Sequence, residues 1–128
     1  MTEQDIYKLL ADGERVTLEC KKAQNGVPNS LWETYSAFAN TNGGILLLGV
    51  YENVAEKDSL MRFTITGVED ADKIRKDLWN TINSREKVNV NLLHDEDVQT
   101  ISVNGKEVIA INVPRAIIIC VLFTLITT

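Results

Sequence analysis

Glu14, Glu19 and Lys21 are the residues whose types could do chemistry on a phosphodiester. Two carboxylates beside a basic group can hold a divalent ion that activates water. Residues 16–21 alternate as a strand, so Val16, Leu18 and Cys20 face a core while Thr17, Glu19 and Lys21 share the other face. Glu14 has the wrong parity for that face and could join the pair only from a turn preceding the strand. An exposed Glu19–Lys21 ion pair accounts for the same residues without catalysis.

A second constellation could hold an anion. Lys21-Lys22 precede a loop over residues 24–29, and Asn29-Ser30 open a helix. Free amides at a helix start, with two ammonium groups beside them, suit a backbone phosphate; ordinary capping with solvated lysines is the plainer alternative. Thr41-Asn42-Gly43-Gly44 looks like a phosphate cradle, but such loops lead from a strand into a helix, whereas here a helix leads into a strand. A backbone turn with room for close packing explains these glycines. Lys73, Arg75 and Lys76, followed by Arg85 and Lys87, could also touch phosphates. Glu69, Asp72, Asp77 and Glu86 offset them, so a mixed solvated helix face fits too. His94 with Asp95, Glu96 and Asp97 lacks metal-ligand spacing and reads as a turn, and Trp32 and Trp79 read as packing residues.

The elements that must position these groups are legible. Ile6, Leu9 and Leu10 suggest a short N-terminal helix closed by Gly13. Ser30 with Glu33 gives a capping-box pattern, and Leu31, Tyr35 and Phe38 recur at helical spacing through residues 30–40. Asn40, Asn42, Gly43 and Gly44 then end the helix, since Asn and Gly tolerate left-handed backbone. Residues 44–50, GILLLGV with Gly49 near the end, show no polar alternation and predict a central strand covered on both faces. Residues 52–60 are turn-like, and 63–66 form a short strand. Asp70 caps a helix over 69–84 with Ile74, Leu78 and Ile82 on one face. Residues 88–93 and 98–103 are strand-like, and Asn104-Gly105 joins the latter to 107–113 through a type I′ hairpin. The order α-β-α-β-β-α-β-β-β predicts one α/β (α+β) domain, a mixed sheet of about six strands with two main helices.

The string SAFANTNGGILLLGV, with Leu18, Glu19, Cys20 and Lys21 upstream, resembles the Schlafen AlbA_2 domain over about residues 10–116. The family pattern is Glu, four residues, Glu-Phe-Lys, then a helix ending AFANTxGG and a strand ending GV. Glu14, Glu19 and Lys21 fall on it, with Cys20 in place of Phe. The resemblance implies a nucleic-acid-binding module, DNA first, at the N-terminus of a bacterial transcriptional regulator, with a further C-terminal domain. In the branch that cuts RNA, the family has an Asp just after the GV strand. Here Tyr51 takes that place and Glu52 follows, and a one-residue displacement turns a strand side chain to the opposite face. A metal-dependent ribonuclease using Glu14, Glu19 and Glu52 is therefore the second reading. No cofactor is expected unless that reading holds, when a divalent metal enters.

Composition bounds the partners. The 128 residues suit a single domain, and a net charge of −5 argues against coating nucleic acid by bulk electrostatics. Binding then needs a local basic patch or a second subunit. A third reading is a homo-oligomeric interaction module without nucleic acid. Cys20 and Cys120 give no disulfide framework, and charges in residues 1–10 argue against a secretory signal, which points to a cytoplasmic protein. Residues 117–128 are uncharged and apolar, too short for a bilayer span of roughly 20 residues. They read as an extra buried strand, a segment buried against a partner, or a truncated or altered C-terminus after Arg115.

Overall fold

The computed structural model describes residues 1–12, 17–84 and 93–115, apart from the side chains of Ser59 and Leu60. The elements are α1 (Glu3–Ala11), β1 (Leu18–Lys21), α2 (Ser30–Ala39), β2 (Gly44–Leu48), β3 (Val50–Glu52) and α3 (Ser59–Arg62). They continue with β4 (Phe63–Ile65), α4 (Ala71–Ile82), a 3-10 turn at Asp95–Asp97, β5 (Val98–Val103) and β6 (Lys106–Val113). The expected strand over residues 88–93 and the apolar tail lie, but for Leu93, outside the described residues. So does Gly13; the last turn of α1 is closed by Asp12, whose amide donates to the Lys8 carbonyl.

β2 is central as its composition requires. It pairs parallel with β1 on one side and antiparallel with β6 on the other, and β5 completes the order β1-β2-β6-β5. Its side chains divide by parity. Leu46 and Leu48 join Leu31, Tyr35 and Phe38 of α2 and Ile74, Leu78 and Ile82 of α4. Leu47 joins Ile6 and Leu10 of α1, Cys20 of β1 and Val50 of β3. The result is a three-layer α/β arrangement.

The sheet differs from the expectation in one respect. The six described strands form a four-stranded sheet and a separate β3–β4 ribbon instead of one continuous sheet. Gly49 is the cause. With φ at +96° it breaks the strand after Leu48, and a Cβ there would stand 3.1 Å from the Gly67 backbone and the Glu107 carbonyl. Its carbonyl accepts from the amides of Thr66 and Gly67, which anchors the far end of the ribbon. α3 was not anticipated either, lying in a segment that reads as loop.

Local signals elsewhere hold. Asp70 accepts from the Lys73 amide at 3.1 Å and starts α4. Asn104 and Gly105 have φ of +51° and +75°, as a type I′ turn needs. The start of α2 departs from the capping-box expectation: Asn29, in helical conformation, is the cap and makes no side-chain capping bond. The Leu31 and Trp32 amides donate to the Pro28 and Asn29 carbonyls, so 3-10 bonds satisfy donors that Ser30 was expected to serve. At the other end Asn40 stays right-handed, and the left-handed residue is Gly43, φ +79°. Its amide donates to the Phe38 carbonyl at 2.8 Å.

Gly43 and Asp70 allow two costs to be compared. An alanine Cβ at Gly43 would lie 2.6 Å from the Val113 carbonyl oxygen, and the left-handed backbone adds strain of about 1–3 kcal/mol. Losing the Asp70 cap costs about 1 kcal/mol. Urea unfolding is expected to rank Gly43→Ala as the more destabilising; the reverse order would show that the turn relaxes away from β6.

Candidate nucleic-acid interface

Lys21 ends β1, and Gly49, just past the parallel strand β2, donates its amide to the Lys21 carbonyl at 2.8 Å. Both strands therefore finish at the same edge. From there the chain departs in two directions: after β1 it reaches α2 on one face, and after Gly49 it enters β3 on the other. Crevices at the carboxyl ends of parallel strands, where successive connections diverge, are the usual place for ligands in α/β sheets.

Lys21 and Lys22 stand at this edge and point to different anchors. The Lys21 ammonium donates to the Ser30 hydroxyl at 3.1 Å, spanning from β1 to the first residue of α2. The Lys22 ammonium lies over the Tyr51 ring, 5.2 Å from its centroid. Ala23, with φ at +47°, bends the chain immediately after Lys22. That is an uncommon conformation for a residue with a side chain, costing of the order of 1 kcal/mol. The Gln24 carbonyl then accepts from the Glu69 amide, which ties the approach to α4 to the same loop.

The acidic candidates separate. Glu19 pairs in register with Leu46 and shares the α2 face of the sheet with Lys21. Glu52 pairs with Phe63, and the alternation of β3 puts it on the side of Val50, toward the α1 cluster. There it makes a 2.7 Å ion pair with Arg62 Nε. The two carboxylates thus leave their strands toward different faces, and Glu14 lies outside the described residues. Among the described residues no three His, Cys, Asp or Glu side chains come together as a metal-binding group.

Of the remaining expected site residues, Asn29 and Ser30 are exposed at the α2 start, where the engaged Leu31 and Trp32 amides leave fewer free donors than the sequence suggests. Lys73 and Lys76 are exposed on α4, but Arg75 is half-buried and donates to the Val98 carbonyl at 2.8 Å, pinning the start of β5. Arg85 and Lys87 lie outside the described residues. Asn40 and Asn42 are exposed in the turn after α2; Gly43 packs against Val113, Gly44 lies under the Phe38 ring, and Gly49 breaks β2 from β3. Tyr51 and Arg62 escaped sequence reasoning. Nothing local marks either one, because the partner of Tyr51 is Lys22, just past β1, and that of Arg62 is Glu52 on β3.

Cys20 reports on this environment. Burial, then the nearby Glu52 and Glu19 carboxylates, push its thiol up to about 12 from an ordinary 9.0. A thiol raised in the folded state contributes stability that is full below pH 9.0 and is lost as pH climbs toward 12. The stability difference between wild type and Cys20→Ala is therefore expected to shrink above pH 9.0, by at most about 1.4 kcal/mol per pH unit. Urea unfolding at neutral pH and at pH above 9.0 checks it, with Lys and Tyr titrations cancelling in the difference. A constant difference would show that the folded thiol ionises normally.

Comparisons with known proteins agree with this geometry. The Schlafen, AlbA_2 family profile matches residues 14–119. The solution NMR structure of the N-terminal domain of a RecG-related protein from Nitrosomonas europaea, named as a candidate ATP-dependent DNA helicase, is similar to this chain at a TM-score of 0.70 and 31% identity. The similarity covers 93% of this chain and 76% of that one. The comparison with curated proteins gave no match. The extent of the profile match, together with the shared fold, establishes that this chain belongs to the Schlafen AlbA_2 family.

Proposed function

We propose that the domain binds nucleic acid, DNA foremost, as the N-terminal module of a larger bacterial regulatory protein of the transcriptional-regulator kind. The observation that carries this reading is the pair of consecutive lysines at the carboxyl end of β1, where the parallel strand β2 also finishes. Lys21 is held at Ser30 and Lys22 at Tyr51. In a chain of net charge −5 such a local cationic edge is the kind of feature phosphate contacts need. Lys73 and Lys76 are exposed on α4, whose approach is tied to the loop following Lys22 by the Glu69–Gln24 backbone bond, and they are further candidates for phosphate contacts. The preference for DNA follows the name of the Nitrosomonas europaea relative, whose matching part is itself an N-terminal domain.

A phosphate contact releases counterions, so each lost contact lowers the dependence of log K on log salt by about 0.9 for duplex DNA. Fluorescence anisotropy with labelled duplex DNA and single-stranded RNA, over a salt series with and without Mg²⁺, tests the reading. Wild type is expected to bind with salt-sensitive affinity, and Lys21→Ala/Lys22→Ala to bind more weakly with a slope reduced by about 2. Metal-dependent RNA cleavage abolished by Glu19→Gln would replace this reading with a nuclease. A stable homo-oligomer that ignores both nucleic acids at about 50 mM salt, where phosphate contacts are least screened, would replace it with an interaction module.

A further inference from the structure

Tyr51 is 43% exposed, in contrast to Tyr35 and Phe38, which are buried at 3% and 8%. It lies on a short strand whose pairing with β4 is regular, opposite the exposed Thr64. Its neighbours Val50 and Glu52 turn to the other side, into the α1 cluster and the Arg62 ion pair, so the backbone under the ring is fixed from behind. The Lys22 ammonium already sits over the ring, which places a positive charge on an exposed aromatic surface. Ala23 turns the backbone left-handed immediately afterwards, and Lys22 itself is exposed.

From this arrangement we infer that Tyr51 is a stacking platform for an unpaired base of single-stranded nucleic acid, with Lys22 and Lys21 taking the phosphates beside that base. The inference rests on the nucleic-acid reading above and names its substrate class. Bases in a duplex are stacked on one another, so a side-chain ring finds an open π-face only on an unpaired or splayed base. Stacking of this kind tolerates any sequence, because every base presents such a face. The ammonium of Lys22 rides on a flexible four-carbon stem, and it can move from the ring to a phosphate when a base arrives. Tyr51 and Lys22 thereby divide the work: the ring senses the base and the ammonium senses the backbone.

The two contributions separate experimentally. Anisotropy would compare a labelled oligothymidylate, a strand of equal length whose sugars carry no bases, and a duplex of that length. The proteins would be wild type, Tyr51→Phe and Tyr51→Ala, with circular dichroism confirming that the exposed substitutions leave the fold intact. Tyr51→Ala is expected to weaken oligothymidylate binding roughly 5- to 150-fold, the range that loss of one stacked base spans. Tyr51→Phe retains the affinity, binding to the base-free strand does not change in either variant, and the salt slope stays at its wild-type value because no phosphate contact is lost. Unchanged oligothymidylate binding by Tyr51→Ala would overturn the inference. So would an equal loss on the base-free strand, which would mean that the ring only positions Lys22. Wild type binding duplex but neither single strand would overturn this inference while leaving the nucleic-acid reading standing; binding to none of the three would overturn both.

Discussion

The structure depends on covering β2 from both sides. Leu46, Leu47 and Leu48 are completely buried, and sinking each such side chain is favourable by about 1.5–3 kcal/mol. A strand that is apolar on both faces has no solvent side, so neighbours must flank both edges and layers must close both faces. The parallel neighbour β1 can be connected to β2 only by a crossover, and α2 supplies it while covering one face. α1 and the β3–β4 ribbon close the other. That requirement brings the end of β1, the beginning of α2 and the exit from β2 to a single edge. The candidate interface is thus a consequence of burying three leucines, since the polar residues there occupy the ends of elements whose positions the core dictates.

Charge at this edge works against the rest of the molecule. The formal charge is −5, so the long-range field does not draw a polyanion toward the domain. At physiological ionic strength, however, interactions beyond about 8 Å are largely screened, and the near field of Lys21 and Lys22 is what a phosphate in contact feels. Several acids are also kept occupied. Glu52 is neutralised by Arg62, Asp70 is spent on the first turn of α4, and Asp5 accepts from the Thr2 amide at the start of α1. The cost of this economy appears at Arg75, which the sequence offers as a phosphate ligand but which the fold uses to hold the Val98 carbonyl.

What was legible in the sequence follows from the range of the interactions involved. α2, β2, α4 and the Asn104-Gly105 hairpin announce themselves through periodicity, an Asp cap and turn residues, each a matter of neighbours along the chain. The AFANTNGG string with Glu19 and Lys21 carried enough of the family pattern to identify the domain. The segment from Val50 to Arg62 was misread because its causes are distant: β3 exists as a separate strand only because Gly49 meets Gly67 and Glu107. The start of α2 was misassigned for a related reason. A capping-box pattern states what a side chain can do, while here backbone bonds from Pro28 and Asn29 had already met the demand, leaving the Ser30 hydroxyl for Lys21. The Lys22–Tyr51 contact joins residues far apart in sequence, and no local pattern encodes it.

Position 51 shows how a strand's two-residue period can redirect a site. An acid there would lie beside the Lys22 ammonium and cancel it; Tyr51 offers that same ammonium a ring face, which attracts the charge without neutralising it. The carboxylate of Glu52 is only one residue further on, yet it faces the α1 cluster, where Arg62 holds it at 2.7 Å. Acid and aromatic have in effect been sorted to opposite sides of β3. The surface around Lys22 therefore combines an ammonium group with an exposed π-face, a pairing suited to recognising phosphate and base together.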